Sequence, residues 1–478
     1  MRICLICEGS YPYVAGGVAG WVQMLCQNLT DVEFVIWSIA TTRKEMSEYK
    51  YELPQNVKEV QTIYLGDDIF HSKHKKIRLQ KNETEVLKGI AAQSESEIDW
   101  RKTLEFIKKY RKDLTDVLMG KDFYNICIEE YQRTESSQVF FEYLWNLRGM
   151  YFPLMDVLTG EIMEADIYHA LSTGYAGILG SLASYIEKKP YILSEHGIYT
   201  REREEDIIRA DWVGSGFKEL WINFFKKMSR IAYKQANIVT SLFFVNKTLQ
   251  EELGCPEEKI RLIPNGVATE EYDNLFSLNK LDKRHFNIAT VLRVVPIKDV
   301  KTMLLAFQYV HEKLPNAQLS ILGGYDESPE YYNECLELIH ILHIENVKFY
   351  GQVNVKEFMP DIDLLLLSSI SVGQPLAILE GMAAGIPIVS TNVGDCKSLL
   401  EGNDGDELGK AGCIVPVMDS KAMAKEIINL ANHPEKRKKM GETGKSRVAK
   451  YYNKDSFLKQ YHDLYYTLGG QDYGGDRI

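Results

Sequence analysis

The sequence predicts an α/β protein with two doubly wound parallel sheets, and three observations lead to this fold class. Short and wholly apolar runs such as Leu364–Leu367 recur along the chain, and such runs are typical of strands buried on both faces of a parallel sheet. Amphipathic helical patterns alternate with these runs, which is the order that parallel strands require. At 478 residues the chain is too long for a single core, so we expect two domains of ordinary size.

The composition is that of a soluble globular protein, with 45% hydrophobic and 26% charged residues. No apolar run approaches the roughly 18 residues that a membrane span needs. The opening residues, MRICLICEG, lack the charged and long apolar regions of a signal peptide, so we expect a cytoplasmic protein. A net charge of −11 argues against a general nucleic-acid surface, and an anionic ligand would therefore need a local basic site.

The first predicted domain spans residues 1–275. Its predicted strands lie at about 2–7, 33–40, 58–64, 166–171, 191–194, 237–241 and 260–263. A helical insertion at about 67–150 interrupts the βα rhythm, and its start, HSKHKKIRLQK, is strongly basic. A solvated face is the favoured interpretation of that stretch; contact with an anionic polymer, lipid head groups or a partner is the alternative.

Two features of this domain suggest a ligand site at the carboxyl edge of its sheet. Gly16 and Gly17 lie in the loop EGSYPYVAGGVAG, which follows the first strand and opens a helix, so backbone N–H groups can approach a ligand there. His169 and His196 lie at or just past predicted strand ends, where parallel sheets bind ligands. A simple tight turn and two structural histidines are the alternatives.

The second predicted domain spans residues 276–453, and its boundary with the first domain lies within a linker at about 268–284. Its predicted strands lie at about 287–295, 318–322, 347–349, 364–367, 386–389 and 414–417. The remaining residues, 454–478, are expected to form one long helix followed by a loose tail.

One loop of this domain is suited to bind a ligand through its backbone. Residues 368–374 are small and polar, and Gly373 stands just before Pro375. A helix is predicted to begin at Leu376 and to end at Gly385, and a tight turn is predicted at Gly394. Glu380 lies one turn beyond the loop. An acid there does nothing for the core but could accept hydrogen bonds from sugar hydroxyls. A helix charge favoured by the dipole is the alternative.

Two cations follow the first strand of this domain. Arg293 and Lys298 stand five residues apart and bracket a proline turn, so they can converge on one diphosphate. Cations of a surface loop without a specific role are the alternative. Gly323 follows the next strand at the same predicted edge.

The region from 364 to 399 resembles the retaining glycosyltransferases of family four, which have the GT-B fold. Their signature is a pair of glutamates eight positions apart, and Glu380 to Gly385 match its second half. The first glutamate is expected at position 372, where this chain has Val372. Gly16, Gly17 and Val18 resemble the family's N-terminal GGV loop.

The resemblance implies two Rossmann-like domains facing a central cleft, with a last helix that crosses back to the first domain. It implies that Arg293 and Lys298 bind the donor diphosphate, that Glu380 binds the ribose hydroxyls, and that His196 positions the acceptor or the donor sugar. The remaining ligand contacts that it implies are Gly16, Gly17, His169, Gly323, Gly373, Gln374, Pro375 and Leu376.

Longer strings narrow the resemblance to family members that make exopolysaccharides. These strings are CEGSYPYVAGGVAGWV, YHALSTGYAG, SEHGIYTRERE and SVGQPLAILEGMAAG. They imply a UDP-sugar donor, either UDP-glucose or a UDP-hexosamine, and a growing polysaccharide as acceptor. They also imply membrane-bound synthase subunits as partners, which leaves recruitment to the inner face of the cell membrane open. We expect no nucleic-acid partner and no cofactor besides the donor.

No metal site is predicted. Asp361 and Asp363 formally spell DxD, the metal motif of a different glycosyltransferase fold, but they precede an apolar strand rather than end it. Cys4 and Cys7 lie within a predicted strand, where positions three apart face opposite ways.

The valine at position 372 leaves three functions open. The leading one is a retaining glycosyltransferase that releases UDP. The second is a UDP-sugar-binding subunit with weak or no turnover, because a valine cannot contact sugar hydroxyls. The third, a UDP-sugar epimerase on the same two-domain fold, would convert the donor without an acceptor.

Overall fold

The computed structural model describes residues 1–41, 48–65, 75–92, 98–134, 138–273 and 285–470. The chain forms two compact units: unit 1 comprises Met1–Leu262 and Tyr461–Ile478, and unit 2 comprises Ile263–Gln460. Three sequence predictions fall partly outside the described residues, namely the linker from 274 onward, the start of the basic stretch at 71–74, and the tail from 471.

Unit 1 contains a parallel sheet of seven strands, as the apolar runs of the sequence predict. The strands are β1 (Arg2–Glu8), β2 (Glu33–Ala40), β3 (Val57–Tyr64), β4 (Ile167–Ala170), β5 (Tyr191–Glu195), β6 (Ile238–Ser241) and β7 (Ile260–Leu262). Their order in the sheet is β3-β2-β1-β4-β5-β6-β7, and every neighbouring pair is parallel. The first strand is central, so the loop that follows it lies at the middle of the carboxyl edge.

Helices connect these strands and form the insertion. The connecting helices are α1 (Gly17–Asn28), α7 (Tyr175–Glu187), α8 (Tyr199–Arg209), α9 (Lys218–Gln235) and α10 (Phe244–Glu252). The insertion contributes α2 (Lys81–Ala91), α3 (Trp100–Tyr110), α4 (Leu114–Met119), α5 (Lys121–Arg133) and α6 (Phe140–Thr159). Their apolar side chains join the core of the sheet, so the insertion is an integral part of unit 1.

The insertion is also held by polar contacts that the sequence does not indicate. Lys227 of α9 is buried, and its Nζ donates to the backbone carbonyls of Ile90 and Ala92. The hydroxyl of Tyr151 donates to the same Ile90 carbonyl at 2.5 Å. The last carbonyl groups of a helix have no hydrogen-bond donor within the helix. These bonds supply donors to the carbonyl groups at the carboxyl end of α2.

The last helix, α19 (Lys454–Gly469), begins in unit 2, and its residues from Tyr461 onward belong to unit 1. Tyr461 and Tyr465 are buried in unit 1. His462 and Tyr466, on the exposed side, both contact the Asp31 carboxylate, at 2.9 and 2.8 Å. The end of this helix therefore packs against unit 1 through an apolar face and an exposed polar pair.

Unit 2 contains a second parallel sheet, of six strands. These are β8 (Phe286–Val291), β9 (Ala317–Leu322), β10 (Val347–Gly351), β11 (Leu364–Leu367), β12 (Ile388–Thr391) and β13 (Gly412–Val415). Their order is β10-β9-β8-β11-β12-β13, with all neighbouring pairs parallel. The strand predicted at 287–295 ends at Val291, so Arg293 belongs to a loop.

Eight helices described in unit 2 precede α19. They are α11 (Glu270–Asp273), α12 (Val300–Lys313), α13 (Pro329–Ile341), α14 (Val355–Phe358), α15 (Leu376–Ala383), α16 (Cys396–Glu401), α17 (Ser420–Asn432) and α18 (Pro434–Tyr451). Gly385 has a φ of +71° directly after α15, as its predicted role in ending that helix requires. Among the described residues, no helix has the length and apolar character needed to cross a bilayer.

Candidate functional site

The loops at the carboxyl edge of the unit 2 sheet are tied to one another by hydrogen bonds. The hydroxyl of Ser368 donates to the Lys298 carbonyl at 2.8 Å, and the Ile370 N–H donates to the Ile297 carbonyl at 2.9 Å. Because β8 and β11 are neighbours, these bonds place the Arg293–Lys298 loop directly beside the loop that contains Gly373.

Lys298 and Arg293 form a pair of neighbouring cations. Lys298 is half-buried, and its pKa is lowered first by burial and then by the charge of Arg293. No carboxylate of the described residues pairs with Lys298. Arg293 is exposed and forms an ion pair with Glu327 at 2.5 Å. Two cations of which one lacks a counter-ion, at the carboxyl edge of a parallel sheet, suit a bound phosphate.

Glu380 is a half-buried carboxylate of α15 that accepts no hydrogen bond from the described residues. Burial raises its pKa to about 7; Lys356 opposes this shift and Glu271 adds to it. Those two residues form an ion pair with each other. A carboxylate that titrates near neutral pH and lacks a donor can accept hydroxyl groups of a ligand.

The loop from Gly373 to Leu376 is packed tightly from one side. The Gly373 carbonyl accepts the Asp395 N–H at 3.0 Å. Gly394 has a φ of +51°, and a Cβ on it would stand 2.0 Å from the Val372 carbonyl oxygen, so only glycine fits there. The sequence predicts a tight turn at Gly394, and this prediction is confirmed.

Gln374 and Gly323 have partners within the protein. Both ends of the buried Gln374 amide are bonded: its Oε1 accepts the Asn265 N–H and its Nε2 donates to Asp395, each at 2.7 Å. Gly323 has a φ of +141°, and a Cβ on it would lie 1.8 Å from the Leu292 carbonyl oxygen. Contacts within the protein therefore explain these two residue types, in addition to the ligand contacts that are predicted for them.

Val372 is half-buried and packs against the apolar cluster of unit 2 that includes Leu367 and Leu379. The chain therefore has an apolar contact where the family pattern has a carboxylate. Pro375 is the N-cap of α15, and Leu376 is its first residue. Among the described residues, the Leu376 and Ala377 N–H groups donate to no acceptor, as is usual for the first turn of a helix.

In unit 1, Gly16 and Gly17 are exposed at the start of α1. Nothing lies within 4 Å of a Cβ built on either glycine. The Gly16 N–H donates to the Tyr51 hydroxyl at 3.3 Å. The amino end of α1 is therefore open to a ligand, in agreement with the predicted loop geometry.

His169 is fully buried, and both of its ring nitrogens have partners. Nδ1 lies 2.8 Å from the Tyr465 hydroxyl, and Nε2 lies 2.7 Å from the Ser194 hydroxyl. Burial, together with the charge of His196, lowers the pKa of His169 to about 3, so the ring is neutral near pH 7. These contacts favour a structural role over the ligand contact that the resemblance implies.

His196 follows β5 at the carboxyl edge of the sheet. Its ring meets the Trp21 indole edge-on, with centroids 4.9 Å apart. Burial lowers the pKa of His196 to about 4, and its Nε2 has no hydrogen-bond partner among the described residues. A neutral imidazole with one unused nitrogen can donate to or accept from a hydroxyl group.

Two acidic residues at strand ends were missed in the sequence. Glu8, the last residue of β1, accepts from Ser172, Tyr199 and the Ala176 N–H at 3.0 to 3.1 Å. Glu195, the last residue of β5, is buried and accepts bonds from the side chains of Thr173, Tyr233 and Gln250 and from the Tyr199 N–H. An acid that directly ends an apolar strand is the signal that could have identified both.

Asp361 and Asp363 lie at the amino edge of the unit 2 sheet. The Asp363 carboxylate accepts the Asn287 N–H at 3.0 Å, where β8 and β11 begin. Both aspartates are thus at the opposite edge from the loops described above. No group of three or more His, Cys, Asp or Glu side chains suited to a metal occurs in the part of the chain that the structure describes.

Family comparisons assign both halves of the chain. The model described as "Domain of unknown function (DUF3492)" matches residues 1–258, and the model described as "Glycosyl transferases group 1" matches residues 273–447. The chain belongs to the DUF3492 family, and a stretch of its second half matches the group 1 glycosyltransferase model. The group 1 match contains Arg293, Lys298 and Glu380.

Two curated relatives show how far the group 1 likeness extends. N-acetyl-alpha-D-glucosaminyl L-malate synthase of Bacillus anthracis is 27% identical over 258 residues, which are 52% of this chain and 64% of that protein. The amylovoran biosynthesis glycosyltransferase AmsK of Erwinia amylovora is 25% identical over 195 residues, which are 37% of this chain and 44% of that protein. The chain thus spans less than two thirds of the length of either relative.

A comparison of solved structures shows the fold. The crystal structure of Anabaena Alr3699/HepE in complex with UDP and glucose has 16% sequence identity and a TM-score of 0.60, and the match covers 97% of this chain and 99% of that chain. The predicted fold class is confirmed: the chain consists of two Rossmann-like parallel-sheet domains of the GT-B type.

Proposed function

We propose that the protein is a retaining glycosyltransferase that moves a sugar from a UDP-sugar, either UDP-glucose or a UDP-hexosamine, to a growing polysaccharide. The observation that carries this proposal is Lys298, a half-buried cation beside Arg293 with no carboxylate partner among the described residues. A diphosphate would supply the missing counter-charge. The match of residues 273–447 to the group 1 glycosyltransferases and the likeness of the fold to that of a protein crystallised with UDP support the same donor.

Each site residue of unit 2 has a distinct task in this proposal. Arg293 and Lys298 bind the diphosphate and stabilise the charge that grows on it as the glycosidic bond breaks. Glu380 accepts the ribose hydroxyls, which would give it the donors that it lacks in the described chain. The backbone from Gly373 to Leu376 contacts the sugar or its phosphate through the N–H groups at the start of α15.

Retention follows from front-face attack in this mechanism. The bond between the anomeric carbon and the β-phosphate oxygen breaks, and the acceptor oxygen bonds to the same face of that carbon. The acceptor hydroxyl passes its proton to the departing phosphate oxygen, so no protein carboxylate needs to act as nucleophile. In unit 1, Gly16, Gly17 and His196 position the acceptor or the sugar, and the unused Nε2 of His196 supports that assignment.

We further propose a PelF-like role in exopolysaccharide synthesis, on the cytosolic side of the membrane and with membrane-bound synthase subunits as partners. The strings SEHGIYTRERE and SVGQPLAILEGMAAG carry this resemblance. The similarity to an amylovoran biosynthesis glycosyltransferase is consistent with such a product class.

A UDP-sugar-binding subunit with weak or no turnover is the second candidate, and the apolar packing of Val372 favours it. Two measurements separate the candidates. A panel of UDP-sugars is first tested for protection against thermal unfolding, and UDP release is then measured with an oligosaccharide acceptor. Both candidate functions predict that a UDP-sugar protects the protein against thermal unfolding. Only a transferase would release UDP in proportion to the amount of acceptor. Protection by no UDP-sugar would contradict both, and donor conversion without acceptor would indicate an epimerase.

A further inference from the structure

The side chain of Gln374 bonds two segments that are distant from it in the sequence. Its Oε1 accepts the backbone N–H of Asn265, 109 residues away, and its Nε2 donates to Oδ2 of Asp395. All three residues are at least nine-tenths buried, with exposed fractions of 6% for Gln374, 5% for Asn265 and 3% for Asp395. The amide is therefore fixed at both ends in a part of unit 2 that solvent does not reach.

The backbone beside Gln374 is held by the same segments. The Asp395 N–H donates to the Gly373 carbonyl at 3.0 Å, and Gly394 approaches the Val372 carbonyl so closely that a Cβ would not fit. Side-chain and backbone contacts thus fix the loop immediately before α15. The first free N–H groups of that helix, on Leu376 and Ala377, follow within three residues of Gln374.

The segment on the other side is equally constrained. Gly266, next to Asn265, packs so tightly that a Cβ would lie 2.7 Å from atoms of Lys454 and Phe457. The Val267 N–H donates to the Tyr452 carbonyl at 2.8 Å. Gln374 therefore attaches the loop to a closely packed segment of unit 2 that is itself bonded to the segment before α19.

We propose that Gln374 is a positioning residue that holds the backbone from Gly373 to Leu376 at the carboxyl edge, so that the free N–H groups of α15 meet the phosphate or sugar of the donor. This inference rests on the proposed function, because the ligand is the same UDP-sugar. The Gln374 side chain touches no ligand in this role; it acts through the N–H groups of Leu376 and Ala377. An apolar side chain of similar size would fill the same space but would bond to neither Asn265 nor Asp395.

A reversed hydrogen bond provides a sharp test. Gln374→Leu removes both bonds, and Gln374→Glu places a carboxylate against the Asp395 carboxylate. The double variant Gln374→Glu/Asp395→Asn restores the bond in the opposite direction, because the introduced asparagine amide can donate to the introduced glutamate, which still accepts the Asn265 N–H. Gln308→Leu, on α12 and outside these contacts, controls for the loss of one glutamine amide.

UDP-glucose affinity and amide hydrogen exchange of residues 370–380 are measured on the full chain. We expect Gln374→Leu and Gln374→Glu to weaken binding at least about tenfold and to speed exchange in this segment, because an unfixed loop must be ordered on binding. The double variant should recover affinity to within about threefold of the wild type, since its bond is re-formed. Gln308→Leu should leave both quantities unchanged.

The outcomes distinguish this role from the function on which it rests. Normal UDP-glucose binding by Gln374→Leu, with a lower unfolding temperature as the sole effect, would overturn the positioning role and leave the proposed function intact. Failure of the double variant to recover affinity, although it folds, would also overturn it. If the wild-type chain bound no UDP-sugar, the proposed function itself would be overturned.

Discussion

Nδ1 of His169 lies 2.8 Å from the hydroxyl of Tyr465, a residue 296 positions later in the chain. The other ring nitrogen lies 2.7 Å from Ser194, whose hydroxyl in turn lies 2.5 Å from that of Thr240. This buried polar chain connects β4, β5 and β6 with the end of α19. Because every member has a partner, the chain fixes the position of the helix without leaving a polar group unsatisfied.

The first prediction concerns the stability of this buried chain. His169→Gln should lower the free energy of unfolding relative to the wild type. The difference between the two proteins should become smaller as the pH falls below about 6.5. The folded His169 has a pKa of about 3, so between these values the unfolded chain binds a proton that the folded chain does not. As the pH falls through this range, the free energy of unfolding of the wild type therefore decreases by up to about 1.4 kcal/mol per pH unit. The variant lacks the histidine and does not show this decrease.

Chemical denaturation at a series of pH values measures this difference. Tyr465→Phe, which removes the partner of Nδ1, should cost about 1–3 kcal/mol near pH 7. If the free energies of unfolding of the wild type and His169→Gln depended on pH in the same way, the prediction would be wrong. His169 would then bind a proton equally well in the folded and the unfolded chain.

The positions of the inner strands could be predicted from the sequence because these strands are buried on both faces. Runs such as Leu364–Leu367 and Glu33–Ala40 are apolar over most of their length, and the structure places strands there. Gly385 and Gly394 were also predictable, since glycine adopts the positive φ that ends a helix or turns the chain tightly more readily than other residues do. These features depend on residues that are close in the sequence.

Partners distant in the sequence could not be predicted. The bonds from Gln374 to Asn265 and Asp395 depend on the order of strands in the sheet, which apolar patterns do not reveal. The same reason applies to His169 and Tyr465. A polar residue at a strand end is equally compatible with a ligand and with a distant hydroxyl, and only the fold distinguishes the two.

The second prediction is a trade-off at Lys298. Lys298→Met should weaken UDP binding at least about tenfold, because one of two cations on the diphosphate is lost. The same variant should raise the unfolding temperature of the ligand-free protein by roughly 1–3 °C, since it removes a half-buried charge that pairs with no carboxylate of the described residues. Isothermal titration and thermal unfolding measure the two effects.

Lys301→Met is the matched control for this trade-off. Lys301 lies three residues further on, is 40% exposed, and already forms an ion pair with Glu334 at 2.7 Å. Its loss should change UDP affinity by less than about twofold. Equal UDP affinities for Lys298→Met and the wild type would remove Lys298 from the site.

The third prediction is a pH dependence of donor binding through Glu380. Burial raises the pKa of this carboxyl group to about 7, and ribose hydroxyls donate best to its ionised form. Binding therefore favours loss of the proton, so affinity should rise by about tenfold from pH 6 to pH 8. UDP-glucose is the suitable probe because its β-phosphate is esterified with glucose and has no second ionisation, whereas the terminal phosphate of UDP titrates in the same pH range.

Glu380→Gln keeps the size of the side chain and removes its titration. We expect weaker binding of UDP-glucose at pH 8 and a flat profile over the same range. If the affinity of the wild type did not change with pH, Glu380 would not contact the donor. If the affinity changed with pH equally in Glu380→Gln, another group would be responsible for the pH dependence.

The fourth prediction tests the departure from the family pattern at position 372. Val372→Glu should raise the rate of sugar transfer at least about tenfold, because the restored carboxylate can bind sugar hydroxyls as the bond breaks. UDP affinity should change by less than about threefold, since the nucleotide is bound elsewhere in the site. The loss of apolar packing should cost roughly 1–2 kcal/mol of stability.

Ser371→Glu places the same charge one residue earlier, on an exposed position of the loop, and controls for a general electrostatic effect. Initial rates with UDP-glucose and an oligosaccharide acceptor, measured beside UDP titrations, separate turnover from affinity. A rise with Ser371→Glu as large as that with Val372→Glu would indicate an unspecific charge effect. A well-folded Val372→Glu protein with unchanged or slower transfer would show that the role of the family's first glutamate does not apply to this chain, and the binding-subunit function would then be favoured.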